Sequence, residues 1–442
     1  MTTVSYRQIW LIAYPILISV VMEHLINLTD TVFLGHYGET ELAASALAGV
    51  YYLAMFVIGF GFCTGAQIIM ARRNGEKHFL RIGSVLVQGI FFMIVLAGLM
   101  FTFSKVFTPL ILSKIIQSPA IYNAAIDYLN WRVYGFFFIF AALMFRAFFV
   151  GITHTKTLTL NSLIMVGTNI ALNYVLIFGH FGFPRMGIAG AAIASSIAEL
   201  VSLLFFVIYT YLRVDLIKYG FRYAFDWRPK LMLGMLSLSS WTMIQSFLAV
   251  STWFIFFLAI EHLGERPLAS ANIARSVASL LFMIVSAFCT TASTLVSNQI
   301  GSGNSALVMS TCNKAVKLCT MILLPLGVFI FAFPSPIISI FTNEQALITE
   351  GALLMRVMVG SSMLAIPAFI FFYAISGTGN TKIGFWIEIL CIAVYSIAVY
   401  IIVYLMRADV AICWLTEYLY GILMLTFCYS YMKSGKWKNK QI

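Results

Sequence analysis

Apolar runs of about twenty residues recur from one end of this chain to the other, each long enough to cross ~30 Å of hydrocarbon as a helix rising about 1.5 Å per residue. Of its 442 residues, 61% are hydrophobic and 10% are charged, where a soluble protein carries about a quarter charged residues. A soluble core cannot take up so much apolar surface, so lipid is the solvent for most of the chain. Twelve membrane helices are expected, at about 9–34, 43–70, 82–104, 122–149, 158–179, 187–212, 231–260, 268–297, 311–332, 347–375, 384–405 and 410–431. The first run is too long for the apolar part of a cleavable signal and leads straight into further spans.

Lys and Arg set the orientation, because cytoplasmic loops carry the excess of both. One alternate set of loops and tails holds eighteen, among them Arg72, Arg73, Lys218, Lys230 and the tail from Lys433 to Lys440, and the other holds five. Both termini are therefore expected in the cytoplasm, as an even helix count requires. The formal charge of +11 is scattered over separate short loops, which argues against nucleic acid as a partner. Seven cysteines, all in or beside apolar segments, show no zinc or redox spacing and read as apolar packing.

The chain is a duplication. HYGETELAASALA at 36–48 matches HLGERPLASANIA at 262–274, FCT at 62–64 recurs at 288–290, and GITHTK at 151–156 matches GTGNTK at 377–382. Every pair is separated by 226 positions, a constancy that chance does not give over four helices. Six helices per copy is an even number, so both copies enter and leave on the same side. The fold class expected is an all-α membrane protein of two parallel six-helix repeats, related by a pseudo-two-fold axis along the membrane normal. The first lobe occupies 1–212, a basic cytoplasmic linker with Pro229 covers 213–230, the second lobe covers 231–432, and a basic cytoplasmic tail covers 433–442.

Ordered on that frame are YP at 14–15, DTVFLGHYG at 30–38, GFCTG at 61–65, ARRNG at 71–75, NIALNYVLIFG at 169–179 and GIAGAAIA at 187–194. The second half adds ASTLVSNQIGSGN at 292–304 and SGTGNTK at 376–382. Together they cover nearly the whole chain, which resembles the multidrug and toxic-compound extrusion (MATE) family of exporters. The resemblance implies a secondary antiporter of the bacterial inner membrane, multi-pass and monomeric. Such a protein takes in H+ or Na+ and releases small amphipathic, often cationic, drugs or toxic compounds by alternating access. No cofactor is implied beyond the coupling ion. Lipid-linked saccharide flippases belong to the same wider superfamily and are the alternative reading.

An ionised carboxylate within a bilayer costs at least about 2.5–3.5 kcal/mol, so it needs a partner or a purpose. The first helix holds Glu23, His24, Asn27 and Asp30. Glu23, Asn27 and Asp30 share a face by their spacing, with His24 turned about 100° away. Asp30 lies about 7 Å in from the outer end of its helix, and Asn173 about 9 Å in from the end of the fifth, with Asn169 one turn deeper. The matching depths point to one cluster, whose oxygens suit a proton or Na+; no other metal is expected. The resemblance assigns the same positions to coupling and adds Ser195, a hydroxyl of the sixth helix. Some family members have Asp where this chain has Asn173, and Glu23 is the candidate for that second acid. In the second half, the position matching Asp30 is Phe256 and those matching Asn169 and Asn173 are Tyr395 and Val399, which places coupling in the first half.

Other candidates stand beside bland alternatives. Glu199, on the sixth helix, is divided between gating and packing, and His24 between accepting a proton and a structural role. Tyr134, Trp241 and Trp253 offer rings to a cationic substrate, although most aromatics here are lipid-facing. Arg275, Arg146 and Arg356 either line a cleft or pair with acids, and a flippase would need several such cations to hold a pyrophosphate. Pro15 is a candidate hinge in the first helix, because it removes a backbone hydrogen bond. The chain has no H-E-x-x-H and no G-x-S-x-G at a suitable depth, so an enzyme is not expected.

Overall fold

A computed structural model describes residues 4–224, 226–438 and 440. In chain order its helices are α1 (Tyr6–Tyr37), α2 (Glu39–Gly75), α3 (Ile82–Ile115), α4 (Pro119–Arg132), α5 (Gly135–Gly151), α6 (Lys156–Phe178), α7 (Gly187–Arg213) and α8 (Pro229–Glu261). They continue as α9 (Glu265–Gly301), α10 (Val308–Ala332), α11 (Pro334–Ile338), α12 (Gln345–Gly377), α13 (Thr381–Val399), α14 (Val410–Cys413) and α15 (Leu415–Ser434). A π-helical turn, Tyr400–Leu405, extends α13. Among the described residues there is no strand. In hydrocarbon a backbone must satisfy its own N–H and C=O groups, and a helix does so within one segment.

Eleven helical stretches are long and apolar enough to cross a membrane, and α4 with α5 makes a twelfth as one broken span. The protein is thus a multi-pass, all-helical membrane protein, with six spans in each half. The shift of 226 residues that aligns the two halves of the sequence carries α2 onto α9 and the turn Phe79–Arg81 onto Ser305–Leu307, residue for residue. It reaches into the loops as well. Lys77 and Thr153 take left-handed backbone angles, φ 59° and 62°, where their counterparts Gly303 and Gly379 take 77° and 86°. Glycine does this freely, whereas a residue with a Cβ is strained by about 1–2 kcal/mol.

Packing divides the chain into two compact units, Ile18–Ser246 and Met1–Leu17 with Phe247–Ile442. Helices α1 and α8 each begin in one unit and end in the other. In the first of these units the segment between α7 and α8 is tied to α3: Gly83 donates its N–H to the Tyr219 carbonyl at 2.9 Å, and Gln88 donates Nε2 to the Asp226 carbonyl at 2.9 Å. In the other, Val296 of α9, Cys312 of α10, Ile375 of α12, Cys391 of α13 and Met424 of α15 share a core. All seven cysteines are buried as free thiols.

The fourth span departs from expectation. It is read from the sequence as one helix over 122–149, but α4 and α5 meet at a 51° bend. At the bend sits an ion pair that no local pattern announces. Arg132, the last residue of α4, donates Nη1 and Nη2 to the two carboxylate oxygens of Glu199 on α7, at 2.8 and 2.5 Å. Its guanidinium lies 3.9 Å from the centre of the Tyr52 ring. A Cβ on Gly135, the first residue of α5, would collide with both charged side chains. The bend therefore rests on a glycine that leaves room for two buried charges.

In the second half the matching positions are Met358 and Leu425, and α12 runs unbroken. This gives a direct test. Arg132→Met alone leaves Glu199 buried and uncompensated and is expected to cost about 3–5 kcal/mol, whereas adding Glu199→Leu recovers most of that. Thermal unfolding in detergent measures it, and a double variant no more stable than the single one contradicts the account.

Candidate functional site

Four side chains from three helices close a ring of hydrogen bonds in the unit Ile18–Ser246. Asn173 of α6 donates Nδ2 to Asp30 Oδ1 at 2.5 Å and to Asn169 Oδ1 at 3.0 Å. Asn169 donates Nδ2 to Ser195 Oγ of α7 at 3.1 Å, and Ser195 donates to the other Asp30 oxygen at 3.1 Å. The spacing of Asn169 and Asn173 is one helical turn, which puts both amides on one face of α6. Both asparagines are fully buried and Ser195 nearly so, while Asp30 is half-buried.

One atom of the ring is left over. Asn173 Oδ1 is buried and accepts no hydrogen bond. An unpaired buried acceptor costs about 1–3 kcal/mol, and one in a native structure calls for an explanation. Here it stands beside a carboxylate, so the site offers a negative group, amide oxygens and a hydroxyl. These are hard oxygen ligands of the kind that take a proton or a small cation.

The structure thus brings Asp30, Asn169, Asn173 and Ser195 together and leaves other predicted residues apart. Glu23 joins a separate group two turns earlier on α1, where Arg146 of α5 donates Nη1 to it at 3.2 Å and Ser19 donates Oγ at 3.4 Å. Asn27 and His24 are exposed, and neither side chain enters the ring. Glu199 sits one turn along α7 from Ser195 and is taken up by Arg132. Pro15 lies inside α1, which continues through it. Tyr134 is exposed at the α4–α5 bend, with the Lys105 ammonium 5.3 Å from its ring centre. Trp253 stacks on Phe257 and Trp241 is half-buried. Arg275 is exposed, donates Nε to Asn272 Oδ1 at 3.4 Å and lies over Phe257.

Sequence reasoning passed over two residues. Arg132 closes its helix at a bend the sequence reading ran through. Glu417 of α15 accepts a 2.7 Å hydrogen bond from Tyr395 of α13; it stands near the start of the last span, where an acid reads as interfacial. Glu388 of α13 is 2% exposed.

Comparison with known proteins adds to this geometry. A protein of Thermotoga maritima named probable multidrug resistance protein NorM is 25% identical over 452 aligned residues, covering 99% of this chain and 94% of that one. A Rhizobium meliloti protein of the same name is 28% identical over 323 residues, 73% and 67% of the two chains. A MOP superfamily transporter from Pyrococcus furiosus shares the fold with a TM-score of 0.89 at 18% identity, over 99% of this chain and 97% of that one. A multidrug resistance MATE family transporter in an outward-facing conformation gives 0.87 at 19% identity, over the same shares. The sequence model of the MatE family matches residues 15–175 and 242–430. With one matched stretch in each half, together spanning most of its length, the chain belongs to the MatE family.

Proposed function

We propose that this protein is a secondary antiporter that exports small amphipathic, often cationic, drugs or toxic compounds in exchange for H+ or Na+. It works as a monomer by alternating access, from the inner membrane of a bacterium, with both termini in the cytoplasm. Drug efflux is supported by family membership and by relatives named multidrug resistance proteins. Coupling at Asp30 is supported above all by the ring that holds its carboxylate between a neutral amide and a hydroxyl inside a span. The ring gives a cation a carboxylate and neutral oxygens, and gives a proton a carboxylate whose neighbours can rearrange.

The flippase alternative would call on Arg146, Arg275 and Arg356 to hold a pyrophosphate. Each is engaged close to home: Arg146 with Glu23, Arg275 with Asn272, and Arg356 with the Phe331 carbonyl at 3.3 Å. No observation favours that reading, and an antiporter needs none of these cations in a cleft.

In liposomes loaded with a fluorescent organic cation, a pH gradient and a sodium gradient are imposed separately. One of them drives export by the wild type and thereby names the ion, and Asp30→Asn reduces that export to background. Export undiminished in the variant removes coupling from Asp30. Pro15 stands within a turn of the point where α1 passes from one unit to the other, and it cannot donate to the Leu11 carbonyl. If α1 bends there when the ring is loaded, Pro15→Ala slows turnover while leaving substrate binding intact; normal turnover disposes of the hinge. Orientation is read with Lys438→Cys, an exposed tail position, against a background of buried thiols. An impermeant maleimide labels it only after the inner membrane is opened; labelling of intact cells reverses the topology.

A further inference from the structure

The second half has lost the ring. The positions matching Asp30, Asn173 and Ser195 are Phe256, Val399 and Gly421. The one polar survivor is Tyr395, at the position of Asn169, and it is 4% exposed. Its hydroxyl donates to Glu417 Oε1 at 2.7 Å. Glu417 lies seven residues into the apolar stretch Val410–Ser434, about 10 Å deep at about 1.5 Å per residue. Phe256 packs against Tyr395 with ring centres 6.3 Å apart, and Tyr420 does so from α15 at 5.7 Å. A carboxyl has therefore reappeared in this half, on a different helix, beside the residue that replaced a ring amide.

No cation accompanies it. None of the ion pairs Arg73–Glu76, His78–Glu76, Arg132–Glu199, Arg146–Glu23 and Arg266–Glu350 involves Glu417. The titratable groups on the elements packed against α15 are Glu350, Arg356 and Tyr373 of α12, Lys382, Glu388, Cys391 and Tyr395 of α13, and Cys413 of α14; α15 itself adds Tyr418, Tyr420, Cys428, Tyr429, Tyr431 and Lys433. Of the bases, Arg356 turns its Nε to the Phe331 carbonyl, while Lys382 and Lys433 stand at the far ends of their helices, about 20 Å along α13 from Tyr395 and about 24 Å along α15 from Glu417. An acid at this depth with one phenol and no positive partner has a single inexpensive way to be neutral, which is to hold a proton. A metal ion would ask for several oxygen ligands, and around Glu417 the walls offer only phenols and the Phe256 ring.

We infer that Glu417, hydrogen-bonded by Tyr395, is a second proton-binding site, in the second half of the protein and independent of the ring around Asp30. Proton uptake converts the carboxylate to a carboxylic acid, with Tyr395 still donating to its carbonyl oxygen; release returns the proton to water. As a coupling element it rests on the antiport reading, but its protonation is measurable without transport.

Infrared difference spectra of the purified full-length protein in lipid, stepped in pH, report each carboxylic-acid C=O stretch that appears or vanishes. The expected result is a titrating band that disappears in Glu417→Gln, persists in Asp30→Asn and Glu388→Gln, and shifts in Tyr395→Phe. A Glu417→Gln spectrum identical to wild type across the range overturns the inference, because Glu417 then exchanges no proton. Should that variant fail to fold, Tyr395→Phe decides by itself, and bands that do not move overturn the proposal. Absence of drug export under either gradient would count against the antiport reading while leaving the infrared result intact.

Discussion

Every acid in a span must be reconciled with hydrocarbon, and this protein does so in several ways. Glu199 meets a guanidinium on two oxygens, and Glu23 meets one through a single contact shared with a serine. Asp30 has no base within ion-pair distance among the described residues; its oxygens are held by an amide and a hydroxyl. Glu417 has a phenol. Along that series the compensation grows weaker, from a full opposite charge to one neutral donor. A strongly paired acid is fixed in its charged form and can serve as structure. An acid held by neutral donors retains the freedom to change its charge, which is what coupling requires. The division between scaffold and working parts follows from the partners more than from the acids.

The duplication sharpens this. The α2–α9 pair, the turn after each and even left-handed loop residues repeat at one offset. What diverged is the polar content laid on them. The Arg132–Glu199 positions became Met358 and Leu425, the bend between α4 and α5 has no counterpart in α12, and Phe256 replaced the acid of α1. One half thus buries a charged pair where the other has two apolar side chains.

Much of this was legible in the sequence. The spans follow from apolar length and the repeat from one constant spacing. The ring follows from depth: Asp30, Asn169 and Asn173 were brought together by counting residues from helix ends, and Ser195 by resemblance. What escaped has a common cause. Arg132 and Glu199 lie on spans far apart in the chain, and they meet at a bend that no proline marks. Glu417 and Tyr395 are an acid and a phenol on separate helices, each ordinary by itself. Glu23 shows the reverse error, since sharing a helical face with Asp30 did not make it share a site. Face and depth locate a side chain relative to its own helix; the partner that decides its chemistry comes from another.

The ring around Asp30 also has a sense of direction. Asn173 gives to Asp30 and to Asn169, Asn169 gives to Ser195, and Ser195 gives back to Asp30. The carboxylate is the terminus toward which two of these hydrogens run. A proton arriving on Asp30 would turn an acceptor into a donor at a place already facing donors. The serine hydroxyl can rotate, but an amide can exchange its donor for its acceptor only by turning over as a whole. Loading such a circuit is thus a collective event, in which neighbours reverse together or hold together. In the antiport proposed above, it would act as a latch with two settings.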